Sequence, residues 1–294
     1  MKNLSGVFTA LITPFKDQKI DFSSLEKLIE QQVAGGVDGF VINGTTAESP
    51  TLKIEEREEI YKFIRKNVGS QKTLIFGTGS NDTEKTIQDS IRAQSLGADA
   101  LLVVVPYYNK PPQRGLLKHF TQVASAVEIP VFLYNVPGRT VAALSVESIA
   151  ELSHVKNIVG IKEATGDIQF LKEIKKSADK DFIYLSGDDG TYVEFLKNGG
   201  HGVISVTSHL FPEAMKKWQV MVSAGHGEQA LSDFKNYKNL TDLLFVEANP
   251  IPVKAALKMM NIIKDDELRL PLVALEEKWR KPIQDELKKL ALIK

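Results

Sequence analysis

Lys162 closes an apolar run in Asn157-Ile-Val-Gly-Ile-Lys-Glu-Ala-Thr-Gly-Asp167, where a strand is expected to give way to a loop. Burial disfavours the charged form of a lysine. A strand-end lysine that sheds part of its proton is a nucleophile and forms Schiff bases with carbonyls. The alternative is an ordinary surface lysine just past a strand. Other residues suit the same chemistry. Tyr134 ends the run from Pro130, where a phenol either moves protons or packs as a rim aromatic. Gly44-Thr45-Thr46 offers hydroxyls and backbone N–H groups to a small carboxylate, or is a plain loop into the next helix. Arg139 follows Pro137-Gly138 in a turn, which suits a carboxylate clamp or a surface arginine.

Other chemistries find less support. His119, His154, His201, His209 and His226 show no metal-binding spacing and read as helix or loop residues. Asp188 and Asp189 are adjacent, so their side chains tend to point apart; capping the following helix is the better reading. There is no Walker loop, and Gly77-Thr-Gly79 lacks the third glycine of a dinucleotide fingerprint. With no cysteine, disulfides, thiolate metal sites and cysteine nucleophiles are excluded.

The elements that must position these residues alternate between strand-like and helix-like. Strands are expected at Val7–Ile12, Gly39–Ile42, Thr73–Phe76, Ala100–Val105, Pro130–Tyr134, Ile158–Ile161, Phe182–Leu185 and Gly202–Val206. A helix follows each. The first is read from a capping box, Ser23 to Glu26, with Leu25, Leu28, Ile29 and Val33 on one face. Strands so short and evenly spaced favour a closed (β/α)8 TIM barrel over an open doubly wound sheet. Residues 1–224 are assigned to the barrel. Residues 225–294 carry no strand signal and read as a C-terminal helical appendage, punctuated by Pro250, Pro252, Pro271 and Pro282. In a barrel, chemistry sits at the C-terminal strand ends. Thr45, Thr46, Tyr108, Tyr134, Lys162, Gly187 and Ser205 all fall at or near such ends.

Composition fits this reading. The 294 residues are 43% hydrophobic and 25% charged, the profile of a globular protein. Lys+Arg and Asp+Glu both number 37, so nothing points to nucleic acid or an anionic membrane surface. The N-terminus shows no signal-peptide core, and no apolar run approaches the roughly 20 residues that span a bilayer. A soluble, cytoplasmic protein is expected.

An ordered set of motifs then identifies a relationship. Gly44-Thr-Thr-Ala-Glu-Ser49, Pro106-Tyr-Tyr-Asn109, Tyr134-Asn-Val-Pro-Gly-Arg-Thr140, Gly160-Ile-Lys-Glu-Ala-Thr165, Gly187-Asp-Asp189 and Asn249-Pro-Ile-Pro-Val-Lys254 cover nearly the whole chain. In this order they resemble the dihydrodipicolinate synthase branch of the N-acetylneuraminate lyase/dihydrodipicolinate synthase family of class I aldolases. The resemblance implies condensation of pyruvate with aspartate 4-semialdehyde, the first committed step of lysine and diaminopimelate biosynthesis. It implies no metal and no organic cofactor. By resemblance Lys162 forms the Schiff base with pyruvate and Thr46 receives the pyruvate carboxylate. Tyr134 transfers protons, and Thr45 links it to Tyr108, which in this family comes from the neighbouring subunit. Arg139 binds the carboxylate of the aldehyde, while Gly187 and Ile204 line the site. A homo-oligomer is implied, a dimer at least and usually a dimer of dimers. Val136-Pro-Gly-Arg139 favours the synthase over a pyruvate-releasing sugar-acid aldolase, since a fixed guanidinium suits a short carboxylate better than a polyol. An inactive barrel serving as a binding protein is disfavoured because Lys162, Tyr134, Thr45 and Tyr108 are all present. The chain departs from the family at the lysine-feedback site. Ser49, Asn81 and Tyr107 remain, but Ile54 and Arg57 replace histidines and Lys85 replaces a glutamate. Lys85 would repel the ammonium of bound lysine, so weak or absent feedback is expected.

Overall fold

Ten strands are present in the computed structural model, which describes residues 3–294. They are β1 Gly6–Ala10, β2 Phe15–Lys16, β3 Lys19–Ile20, β4 Gly39–Ile42, β5 Thr73–Gly77, β6 Ala100–Val104, β7 Val131–Asn135, β8 Ile158–Glu163, β9 Ile183–Ser186 and β10 Gly202–Ser205. Eight of them close a barrel in the order β1-β10-β9-β8-β7-β6-β5-β4, and each is followed in the chain by a helix. This is the expected (β/α)8 architecture. The strands read as unbroken apolar runs because both faces are covered, as the fully buried Gly-Val-Phe-Thr-Ala of β1 illustrates.

Local chemistry sets the helix starts. Asp82 and Asp167 each accept two backbone N–H groups of the turn that follows, and Ser145 accepts one. The first helix departs from expectation. It runs Phe22–Ala34, and its cap is Asp21, whose carboxylate accepts the N–H groups of Ser23 and Ser24 at 3.1 Å each. An aspartate two residues earlier supplies the acceptor expected from Ser23, so Ser23 lies inside the first turn. A second departure is the antiparallel ribbon of β2 and β3, which pairs Phe15 with Ile20. Its turn residues Asp17 and Gln18 have φ of 52° and 60°. No glycine marks that turn, so the sequence carried no hairpin signal.

The chain forms two compact units. One comprises the residues up to Gly6 and Thr73–Ile204; the other comprises Val7–Lys72 and Ser205–Lys294. In the first, parallel pairing aligns Phe132 with Gly160, Tyr134 with Lys162, and Asn135 with Glu163. Gly160 is required by space. A Cβ there would lie 2.4 Å from the Ile183 carbonyl oxygen and 2.7 Å from Phe132 Cε1. In the second, Trp218 is fully buried among Phe211, Phe234 and Tyr237, and its indole N–H donates to Asp233 at 2.7 Å. The C-terminal region contains helices Gly227–Phe234, Lys238–Leu243, Ile251–Met259 and Glu277–Lys289, with irregular backbone between the last two.

Candidate active site

Lys162 is the penultimate residue of β8, one position inside the strand end. The residue is 7% exposed. Residues paired across parallel strands project to the same face, so Lys162 and Tyr134 stand side by side. The Lys162 Nζ lies 4.1 Å from the centre of the Tyr134 ring. This contact offers an ammonium the negative face of the ring and keeps a phenol beside the lysine. The lysine stem passes over Gly187, just beyond β9. A Cβ at Gly187 would lie 2.9 Å from Lys162 Cε and 2.6 Å from Ala164 Cβ. Glycine there is a spatial requirement of Ala164 and of the lysine stem together. Ile204, buried in β10, belongs to the same unit.

The next positions along the strands point the other way. Glu163 and Asn135 are 2% and 1% exposed. Asn135 Nδ2 donates to Glu163 Oε2 at 2.8 Å, and the Thr165 N–H donates to Glu163 Oε1 at 2.6 Å. Burial pushes the Glu163 carboxyl above the usual range, and hydrogen bonds from the Asn135 amide and from the Thr165 hydroxyl and N–H oppose that shift. Asn135 Oδ1 accepts the Leu144 N–H at 3.1 Å. Between Asn135 and Leu144 the chain makes a single helical turn, Pro137–Thr140, that presents Arg139 to solvent. The Thr140 hydroxyl lies within donating distance of two carbonyls, Val136 at 3.0 Å and Ala142 at 2.7 Å, and Val141 adopts φ 64°.

Tyr108 occupies the loop after β6. It is 88% exposed and has φ of 74°, a rare conformation for a non-glycine residue. The neighbouring Asn109 fixes the loop, its Nδ2 donating to the Asn81 carbonyl at 2.8 Å.

In the other unit, Thr45 and Thr46 begin a 3-10 turn that starts three residues after β4. The first N–H groups of such a turn have no partner within it and face outward as donors. Thr46 is buried, and its hydroxyl accepts from Asn249 Nδ2 at 2.8 Å. The Thr13 hydroxyl holds the Ala47 carbonyl at 2.9 Å. Glu48 follows in the left-handed conformation, with φ 56°, and carries the turn onto a buried ion pair. Its Oε1 receives a short hydrogen bond from Lys254 Nζ, and its Oε2 accepts the Arg269 N–H at 2.9 Å. Lys254 also donates to the Glu267 carbonyl at 2.9 Å and lies 4.3 Å from the centre of the Phe15 ring. Burial lowers the Lys254 pKa to about 8, against the raising influence of Glu48.

Five residues that the sequence reading left without a role pack beside the candidate residues of their own unit: Asn135 and Glu163 beside Tyr134 and Lys162, and Glu48, Asn249 and Lys254 around the turn of Thr45 and Thr46. All five sit inside the quoted motifs, the one signal that marked them. Asp188 caps the 3-10 turn Asp189–Thr191, accepting the Thr191 N–H at 2.8 Å, and the helix that follows begins only at Tyr192 with no side-chain cap. Among the described residues no group of three or more His, Asp or Glu side chains is arranged to hold a metal ion. No described helix is long and apolar enough to cross a membrane.

Comparison with known proteins agrees with the motif order. A family model described as the dihydrodipicolinate synthetase family matches residues 3–290. The 4-hydroxy-tetrahydrodipicolinate synthase of Bdellovibrio bacteriovorus is 58% identical over 293 residues, covering 100% of both chains. Among solved structures, dihydrodipicolinate synthase from Thermotoga maritima superposes with a TM-score of 0.96 at 40% identity, over 98% of this chain and 99% of that one. The chloride-inhibited dihydrodipicolinate synthase from Acinetobacter baumannii, complexed with pyruvate, gives 0.96 at 42% identity, over 99% and 100%.

Proposed function

Because this chain belongs to the dihydrodipicolinate synthetase family, we propose that it condenses pyruvate with aspartate 4-semialdehyde to give 4-hydroxy-tetrahydrodipicolinate. The observation that carries this reading is Lys162, buried at a strand end with its Nζ over the Tyr134 ring. The Lys162 amine adds to the keto carbon of pyruvate and water leaves, giving an imine. The imine accepts electrons from the adjacent C–H bond, so the methyl group loses a proton and becomes an enamine carbon nucleophile. That carbon attacks the aldehyde. The amine of the aldehyde substrate then adds to the imine carbon, expels Lys162 and closes the ring.

In this scheme Tyr134 carries protons to and from the imine nitrogen and its hydroxylated precursor, and Thr45 relays them to Tyr108. Thr46 and the N–H groups of its turn receive the pyruvate carboxylate, with Gly187 and Ile204 lining the site. Arg139 receives the carboxylate of the aldehyde. The exposure and strained backbone of Tyr108 support its insertion into a neighbouring subunit. A homo-oligomer follows, a dimer at minimum and a dimer of dimers in full, working in the cytoplasm. Sedimentation at working enzyme concentrations tests the assembly, and a purely monomeric active enzyme would refute it. The division into a barrel, 1–224, and a helical region, 225–294, belongs to the same proposal.

Treatment with pyruvate and borohydride should reduce the imine and tag the peptide containing Lys162. An unmodified Lys162 sinks the enzyme reading. Turnover of aspartate semialdehyde, set against cleavage of sugar acids, then distinguishes the synthase from a sugar-acid aldolase.

A further inference from the structure

Behind the reacting face lies a chain of hydrogen bonds with a fixed direction. The Leu144 N–H can only donate, so the Asn135 atom that meets it must be oxygen. Asn135 therefore presents its NH2 to Glu163. The Thr165 N–H donates to the other Glu163 oxygen. Glu163 must accept at both oxygens, which an ionised carboxylate does and a carboxamide cannot. Glu163, Asn135 and Leu144 are each 2% exposed or less, so water does not substitute for a lost partner.

The consequence falls on Arg139. Asn135 and Leu144 are the two ends of the segment that carries it, and the Asn135 side chain ties them together. The Leu144 end is further seated by Gln113, which donates to the Ala143 carbonyl at 2.8 Å and accepts the Ser145 N–H at 3.1 Å. We propose that Glu163 and Asn135 are positioning residues for the second substrate: their one-way hydrogen-bond chain clamps the base of the 136–144 loop and sets where Arg139 meets the aldehyde's carboxylate. This rests on the role of Arg139 proposed above. Lys162 and Tyr134 project to the opposite face of the same strands, so pyruvate capture is largely spared.

The test exploits the direction of the chain. Glu163→Gln confronts the Asn135 NH2, or the Thr165 N–H, with another donor. Whichever way either amide flips, one clash remains. The double variant N135D/E163Q reverses the direction. The carboxylate introduced at position 135 accepts from the Leu144 N–H and from the amide NH2 introduced at position 163. The oxygen of that same amide accepts the Thr165 N–H. All three hydrogen bonds and the single negative charge survive. For E163Q we expect KM for aspartate semialdehyde to rise at least about tenfold, with borohydride trapping of pyruvate on Lys162 kept within about threefold. The double variant should return KM to within about threefold of the parent. A double variant as impaired as E163Q, or an E163Q enzyme with parental KM, overturns the proposal. If E163Q does not fold, the double variant decides alone: recovery of fold and KM supports the chain, and failure refutes it. Absence of trapping in the parent enzyme would instead refute the proposed function.

Discussion

The turn that bears Thr46 rests on a fully buried ion pair, Lys254 with Glu48, whose side chains are 0% and 1% exposed. Lys254→Met keeps most of the stem and removes the ammonium. Glu48 is then left with the Arg269 N–H as a partner but without its cation. The Glu267 carbonyl loses a donor, and the Phe15 face loses a cation. Breaking a buried pair by removing one member costs about 3–5 kcal/mol, because the remaining charge stays desolvated. With an unfolding entropy of about 2 cal/mol/K per residue, a loss of that size lowers Tm by roughly 5–8 °C for a chain this long. Glu48 closes the turn, so KM for pyruvate should rise as well. The double variant K254M/E48L removes both charges and should be clearly more stable than the sum of the single losses predicts. Thermal and urea unfolding of the parent, the two single variants and the double variant measure this. A K254M variant destabilised by less than about 1 kcal/mol, with no coupling in the cycle, would refute the assignment of this pair as the anchor of the turn.

Three further outcomes are expected. Gly187→Ala places a methyl group 2.9 Å from Lys162 Cε, so trapping of pyruvate on Lys162 should fall about a hundredfold while circular dichroism is unchanged; normal trapping would show that the lysine stem has room to move. His209 is fully buried, donates from Nδ1 to the Val206 carbonyl at 2.8 Å and accepts the Ile12 N–H on Nε2 at 3.2 Å, and burial lowers its pKa from 6.5 to about 4. Between those values the unfolded chain binds a proton that the folded chain refuses. Its contribution is therefore complete above pH 6.5 and declines by up to about 3 kcal/mol as pH falls to 4, and urea midpoints of His209→Gln should decline less steeply over that range. Free lysine should inhibit weakly or not at all, as the sequence reading expects from Ile54, Arg57 and Lys85, and the Arg57 guanidinium donates to the Ser49 carbonyl at 2.8 Å; inhibition at sub-millimolar lysine would contradict this.

Much of the molecule was legible before any fold was known. The eight barrel strands announce themselves as short apolar runs, since a parallel sheet covered on both faces leaves no polar alternation. Helix starts were less legible, because Asp21 and Ser23 are both competent caps and only backbone direction chooses between them. The β2–β3 ribbon was invisible, because Asp17 and Gln18 adopt positive φ without the glycine that usually reports it. Lys162 drew attention because a lysine at the end of a buried run conflicts with its own solvation. Its contact with Tyr134 needed strand register, which no periodicity specifies.

By itself the sequence determined the alternation of elements and the family they belong to, and it nominated the residues proposed to form and use an imine. These properties follow from residue type and local spacing. Tertiary structure alone decided which buried polar groups pair within each unit. Asn249 meets Thr46 across 203 residues, Lys254 meets Glu48 across 206, and Asn135 meets Glu163 across 28. Hydrophobic pattern tells which face of an element is buried; it does not tell which buried donor meets which acceptor, and that pairing fixes where the turn bearing Thr46 and the loop bearing Arg139 stand.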